Sequence, residues 1–553
     1  MKAYKGSPLP LGVTEYENHV NFAVEAKKGA ICSLVLYKKG DKNPMEKILL
    51  SEETAVGNVR FVALPKSKLK AKEYVYEIDG KIILDPYAKA ICSYEDGKRA
   101  TILLGDYDWE GDEPLKLPYH EVVAYSMHVR GFTKHTSSKV KKKGTFAGVV
   151  EKIPYLQELG INQIQCMPVY AFAEQKEYVN YWGYGEGYFF APQEKYAYAK
   201  DNVKELKDMV KACHKAGIEV VLYMPFCDGT PVQVMVDCLR YYAMEYHIDG
   251  FLLNPMLAPM ESIKADPILK GTKILEQKDD FMIIMRRFLR GDEDMLEDVM
   301  ACLKQHTNQV GSYNYMTGHT GFTMADLVSY DEKHNEANGE RNEDGPEQNY
   351  SWNCGTEGPT KKMEIIDLRK RQVRNAFALL LLAQGTPCIL AGDEFGNSQN
   401  GNNNVYCQDN ETAWLNWNQV SKEKELLQFV KRLISLRKTY SVLHSEKPLL
   451  GRDYTSCGVP DVSFHGESAW KKPQGVTKKQ VGAYYHNQEE DCFVAYNMHS
   501  NSHKIALPAL PKGKKWYRIF STEDEMIQTE ERVEKDQKTV NVSGRTVLFF
   551  VGR

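Results

Sequence analysis

The stretch Asn202–Phe226, NVKELKDMVKACHKAGIEVVLYMPF, decides the fold class. Its first part sets Val203, Leu206, Met209, Val210 and Cys213 at helical spacing on one face, and Gly217 supplies the stop. IEVVLYMPF follows as a nearly unbroken apolar run, the pattern of a strand buried on both faces. The same device stands upstream: VVEKIPYLQELG carries Val150, Ile153, Leu156 and Leu159, ends at Gly160 and hands over to INQIQCMPV. Further strand-like runs are AYSMHV near residue 125, GFLLNP, TKILEQ, SYNYMTGH and TPCILAG. Strands alternating with helices in this number predict an α/β chain built on a closed (β/α)8 TIM barrel. A sixth strand is due where DDFMIIMRRFLRGD stands, and that segment reads as helix.

Outward from the barrel the pattern changes. HVNFAVEA, AICSLVLY, RFVALP and EYVYEIDG alternate apolar and polar residues between turn formers, and CFVAYNM, WYRIF and VNVSGRTVLFFVG do the same near the end of the chain. The expected organisation is an N-terminal β-sandwich over residues 1–115, the barrel over 116–444, and a C-terminal β-sandwich over 445–553. A length of 553 residues accommodates three such units.

With 42% hydrophobic and 26% charged residues the chain can bury real cores, and a formal net charge of -3 exerts no long-range pull on nucleic acid or anionic membrane. No apolar run reaches the length of a membrane span and no secretory leader is recognisable in MKAYKGSPLPLG, so a cytoplasmic location is expected. The 12 cysteines form no C-x-x-C pair and several, Cys166 and Cys388 among them, fall inside apolar strands, so buried thiols rather than disulfides or metal ligands are expected. The acidic and Asn-rich loop from His334 to Gly345 lacks the spacing of a calcium loop. No cofactor and no metal is expected.

Several long motifs resemble one family. HTGFTMADLVSYDEKHNEANGERNEDGPEQNYSWNCGTEGP, from His319 to Pro359, is similar to the seventh-strand region of glycogen debranching enzymes, isoamylases and type I pullulanases of glycoside hydrolase family 13. YSMHVRGFT, NYWGYGEGYFFAP, GTPCILAGDEFGNSQNGNNNVYCQDN and AWLNWN support the resemblance. SPLPLGV and LDPYAKAI resemble the carbohydrate-binding module family 48 domain that precedes such barrels, and GRDYTSCGVPDVSFHG resembles the same enzymes near their C-terminus.

The resemblance implies retaining hydrolysis of α-glucan by a carboxylate nucleophile and a carboxylic acid about 5 to 5.5 Å apart. It also tells which positions should carry them. The fourth-strand motif, of the form DGFRFD in the family, is DGFLLN here, so Asn254 stands at the nucleophile and Leu252 at the orienting Arg. The fifth-strand KLIAEPWD aligns with KILEQKDD, which puts Gln277 at the acid and Glu276 one residue earlier. The seventh-strand His-Asp pair is His319 and Thr320, and the third-strand DVVFNH is YMPFCD, with Tyr223 for the first acid and Asp228 for the His. An amide neither forms a glycosyl ester nor gives up a proton at neutral pH. The expectation is therefore a catalytically silent debranching-enzyme homologue.

Rescue would have to come from Glu276, which a one-residue slip turns to the other face of its strand, or from Asp228 on a different strand end. Tyr184, Trp182, His319, Asp228, Asn254 and Gln277 are the candidate sugar contacts, whereas Trp414 and Trp417 read as structural. Tyr223 and Leu252 are bulky enough to fill the place of a glucose ring. The partners implied are an α-glucan such as glycogen or starch-like maltooligosaccharide and an active debranching or branching enzyme. The rival reading is an active hydrolase of α-1,6 branches that uses a non-standard acid.

Overall fold

The computed structural model describes residues 3–175, 177–306, 311–454, 456–524 and 532–553. Its centre is a parallel sheet of seven strands: β1 (Ala124–Met127), β2 (Gln163–Cys166), β3 (Glu219–Tyr223), β4 (Gly250–Leu253), β5 (Lys273–Glu276), β6 (Asn314–Tyr315) and β7 (Pro387–Leu390). The spatial order runs β5-β4-β3-β2-β1-β7-β6, each pair parallel. The curl closes on itself: Glu276 forms a parallel bridge with Ser312, and its N–H donates to the Gly311 carbonyl at 2.9 Å. This is the TIM-barrel architecture the alternating pattern predicts.

The segment expected to hold a sixth strand is helix throughout its core, Asp280–Arg290, with Phe281, Met285, Phe288 and Leu289 buried. Only Gln277, Lys278 and Asp279 separate it from β5. Among the described residues no strand stands between β5 and β6, so the strand that follows in chain order takes the vacant place in the circle. Barrel diameter grows with strand number. A ring of the seven strands found among the described residues is therefore narrower than one of eight.

Helices cover the outside. The helix Asn202–Lys215 starts where the Asp201 carboxylate accepts the Lys204 N–H at 3.0 Å, buries Leu206, Met209, Val210 and Cys213, and ends before Gly217 at φ +73°. The helix expected over VVEKIPYLQELG is broken in two, Phe146–Val150 and Ile153–Leu159, because Pro154 has no N–H to continue the first piece and suits the first turn of the second. Strand alternation then fixes which residues face the barrel axis. Val221, Leu252, Leu275, Tyr313, Tyr315 and Cys388 pack together inside it, whereas Phe251, Leu253 and Ile164 face the helices.

Before the barrel, a three-stranded sheet (Gly12–Glu15, His19–Glu25, Val59–Pro65) faces a second sheet built on Cys32–Tyr37, Glu73–Ile78 and Gly97–Thr101, with Phe22, Leu34, Leu64 and Tyr76 in a shared core. After it, a six-stranded antiparallel sheet centred on Gln480–His486, Asp491–Asn497 and Thr546–Gly552 packs against the pair His503–Ala506 and Thr539–Val542. No helix of the described residues is long and apolar enough to cross a membrane.

Candidate active site at the barrel mouth

In a TIM barrel the loops beyond the C-terminal strand ends build the site. Here those ends meet in a small cavity lined by Ser126, Gln165, Met167, Tyr184, Tyr223, Leu252, Gln277, Tyr313, Tyr315, Thr317, His319 and Thr320, among others. The candidates Tyr184, Tyr223, Leu252, Gln277, His319 and Thr320 thus come together, and no carboxylate is among the lining residues. The cavity measures about 40 Å³. By the same measure a water needs about 10 to 15 Å³ and ligand sites run from about 300 Å³ upward, so the space admits a few solvent molecules and not a pyranose ring.

What fills it is visible in the registers. Tyr223 lies beside Leu252 across β3 and β4, and Leu252 beside Leu275 across β4 and β5. Tyr184 meets Tyr223 edge-on at 5.7 Å between ring centroids. Tyr313 and Tyr315, two residues apart and so on one face, complete the plug from β6; their rings are 5.7 Å apart. Sequence reasoning missed this pair, although an i, i+2 repeat of tyrosine in a barrel strand is a signal that could have found it.

The polar groups are tied to one another. Gln277 donates through Nε2 to the Tyr315 hydroxyl at 3.0 Å, and Tyr315 donates to Asp279 Oδ1. Burial, reinforced by that carboxylate, raises the Tyr315 phenol. Ser126 Oγ lies 3.1 Å from His319 Nε2, and burial holds the His319 imidazole down to about 3, so it is neutral in water near pH 7. A neutral ring without a neighbouring carboxylate has nothing to polarise it into a strong base.

Asn254 stands apart from the cavity. Its Oδ1 accepts the Met256 N–H at 3.0 Å, closing a turn in the loop after β4. Asp228 is exposed in the loop after β3. Trp182, expected as a sugar contact, is instead 4% exposed and packed with Met167, Tyr181, Val405 and Ala413; that apolar cluster takes the faces a sugar would need. Tyr181 stacks on His128 at 4.0 Å and is equally buried. Trp417 is buried with Nε1 donating to the Phe132 carbonyl at 2.7 Å, and Trp414 donates to Asp409 at 2.9 Å.

Neither substitute acid faces the cavity. Alternation turns Glu276 outward, where its carboxylate lies 3.8 Å from Lys264 Nζ. Asp393 sits buried behind the His319 loop, where Thr317 donates to Oδ2 and the Met324 N–H to Oδ1 at 2.8 Å; burial raises it to about 7. Glu394 is consumed by the Tyr125 and Tyr155 hydroxyls at 2.8 and 2.6 Å. Asp279, itself exposed, is tied to two of the lining residues, Tyr315 and Gln277.

Comparison with known proteins accounts for the architecture. The alpha-amylase catalytic-domain profile matches residues 123–226. Isoamylase 1, chloroplastic, of Arabidopsis thaliana is 31% identical over an alignment of 673 positions that takes in 94% of this chain and 84% of that protein. The chain belongs to the isoamylase branch of glycoside hydrolase family 13. A glycogen operon protein GlgX homolog of Mycobacterium tuberculosis is 30% identical over 85% of the chain and 83% of its own length. Among solved structures, the pullulanase of Bacillus acidopullulyticus superposes with a TM-score of 0.77 at 17% identity, covering 99% of this chain and 75% of that one. The type I pullulanase of Bacillus subtilis, solved with maltose, gives 0.76 at 19% over 99% and 85%. The plant alignment is longer than the whole 553-residue chain. This isoamylase-family chain is thus the more compact of the two along the aligned region.

Proposed function

We propose that the protein is a catalytically silent member of the isoamylase family that works in α-glucan metabolism as a glucan-binding or regulatory partner of an active debranching or branching enzyme. The observation that carries the reading is the barrel mouth: about 40 Å³ of space, walled by tyrosines, leucine and amides, with no carboxylate among its lining residues. Covalent glycoside hydrolysis needs two carboxyl groups facing one sugar. The Asn254 amide occupied in its own turn and the Glu276 carboxylate directed at Lys264 support the same reading. The pullulanases solved with maltose and maltotetraose motivate the glucan part, as do the names of the glycogen-operon relatives. A cytoplasmic setting and the division at residues 115 and 444 belong to the same proposal.

Because the central cavity is too small for a sugar ring, glucan is expected to contact the protein outside it. Two experiments separate the versions. A glucan binder is retarded in a native gel containing glycogen, and unchanged mobility rejects that version. A regulatory partner co-purifies from native extract with an active debranching or branching enzyme, and recovery of the chain alone rejects that one. An active hydrolase would have to recruit a non-standard acid such as Glu276, Asp228 or Asp279, so turnover lost on Glu276→Gln, Asp228→Asn or Asp279→Asn would overturn the proposal as a whole.

A further inference from the structure

Most cysteines of this chain are buried inside apolar packing, and burial pushes thiols such as Cys166 up, to about 12. Cys457 differs in two ways. It is exposed, and its sulfur faces a histidine already held by an acid: Sγ lies 3.4 Å from His486 Nε2, and His486 Nδ1 lies 2.8 Å from Asp491 Oδ1. Asp491 is fully buried at the start of its strand and also accepts from Tyr484 at 2.5 Å and Lys514 at 2.6 Å. Burial works against its ionisation, but His486, Lys514 and Tyr484 together hold it down to about 2. With Nδ1–H directed at that permanent charge, Nε2 is left to accept a proton from the thiol. The hydrogen bond that His486 donates to Asp491 raises the imidazole above its ordinary value, which favours the imidazolium–thiolate form.

The surroundings admit a reactant. Cys457 itself is not among the lining residues, but its partner His486, with Tyr454 and Val459 on either side of Cys457 in the chain, lines a cleft of about 1070 Å³ between the barrel and the C-terminal sheet. That is the scale of a whole small-molecule site. Its walls set Arg452, Lys447 and His120 beside Glu121, Glu446, Asp461 and Glu489, so the cleft selects no single sign of charge. Asp453 and the Val459 carbonyl oppose the thiolate: Asp453 Oδ1 is 3.8 Å and the Val459 oxygen 3.6 Å from Sγ, although the Asp453 carboxylate already accepts the N–H groups of Cys457 at 3.2 Å and Gly458 at 2.7 Å. Asp461 lies on the strand edge beside His486, whose N–H binds the Asp461 carbonyl at 3.0 Å, and its carboxylate is taken up by the N–H groups of Leu450 and Gly451.

We propose that Cys457 is a thiol–disulfide exchange site for a low-molecular-weight disulfide, for which glutathione disulfide is the probe, with His486 as its base and Asp491 as the residue that positions His486. The Sγ proton passes to His486 Nε2, and the thiolate attacks one sulfur of the disulfide. A bond forms between Cys457 and that sulfur as the original S–S bond breaks, and the departing thiolate recovers the proton from His486. The reaction is an exchange with no net oxidant, and added thiol reverses it.

The test uses the full native chain and a chromogenic aromatic disulfide, followed by glutathione disulfide. The expected result is one fast equivalent, absent in Cys457→Ser, whose rate is half-maximal well below the ordinary thiol value of about 8.5. Each unit of lowering raises the thiolate fraction about tenfold and lowers its nucleophilicity about threefold, a net gain of about threefold near neutrality. His486→Gln should return the half-maximal point to the ordinary range and slow the reaction at pH 6.5 by at least that factor. Mass spectrometry should place a glutathione adduct on the Cys457 peptide that dithiothreitol removes. A fast equivalent that survives Cys457→Ser overturns the site. So does a native profile centred near 8.5, a reading that needs no variant other than Cys457→Ser. None of these outcomes depends on whether the barrel hydrolyses glucan.

Discussion

Truncating Leu252 asks whether the barrel mouth is core or pocket. In the family this position belongs to an orienting Arg, whereas here the side chain is 6% exposed and packed inside the barrel with Val221, Leu275, Tyr313 and Tyr315. Its strand neighbours on either side are Tyr223 and Leu275, both anchored by parallel ladders that cannot collapse into a void. Leu252→Ala should therefore cost about 2 to 5 kcal/mol, the range for a buried leucine whose surroundings relax only in part. A chain of several units does not unfold in one step. The loss is accordingly read locally, by native-state hydrogen exchange of peptides covering Gly250–Leu253 and Lys273–Glu276. Asn254→Ala, two residues along in the loop after β4, loses an exposed hydrogen bond and should cost about 1 kcal/mol or less. A cost below about 1 kcal/mol for Leu252→Ala would refute the reasoning, because side chains that line an open ligand site give up little stability when removed.

Three further outcomes follow from the same geometry. Restoring both family acids, Asn254→Asp with Gln277→Glu, should produce no measurable release of reducing ends from branched dextrin, since the carboxylates would return without the space for a sugar; clear turnover would contradict the closed mouth. Asp393, raised to about 7 by burial, contributes stability that is fully present below its unfolded value near 3.9 and is lost as pH rises through 7. Asp393→Asn should remove that loss and stabilise the protein at pH 8 by up to about 4 kcal/mol while changing little at pH 4, and equal melting shifts at both pH values would count against it. His214 lies between Asp249 and Asp112, each at 2.9 Å, and burial, which lowers its pKa, is outweighed by the two carboxylates, which raise it. Its stabilising contribution is full below about 6.5 and fades as pH rises above that. His214→Gln should flatten the melting temperature across that window, and an unchanged slope would show that the pair carries no charge.

The elements that alternate cleanly were legible in the sequence. Leu206, Met209, Val210 and Cys213 announced their helix, and the runs around Ile164, Val221 and Phe251 announced their strands, because helix and strand periods differ enough to separate by eye. Pro154 ought to have split the preceding helix, but apolar spacing alone runs straight through it. The seven-stranded ring was harder to see. That Asp280–Arg290 is helical could be read locally, but that β5 then reaches across to Ser312 depends on contacts distant in sequence.

The site divides in the same way. The outward turn of Glu276 follows from strand alternation and needed no coordinates. The burial of Trp182 did not, because a tryptophan beside two tyrosines looks the same whether it packs against Val405 and Ala413 or waits for a sugar. The plug contributed by Tyr313 and Tyr315 comes from the run SYNYMTGH, which reads as a strand without telling which of its faces turns inward, and the link from Gln277 through Tyr315 to Asp279 joins residues whose proximity only the closed ring creates.

The most direct measurement is reducing-end release from β-limit dextrin by the unmodified chain at high enzyme concentration over hours. A barrel mouth of about 40 Å³ lined by amides, phenols and one neutral imidazole predicts a rate indistinguishable from buffer. Steady turnover that disappears on Asp279→Asn or Glu276→Gln would contradict it, by placing a working carboxylate where none faces the cavity.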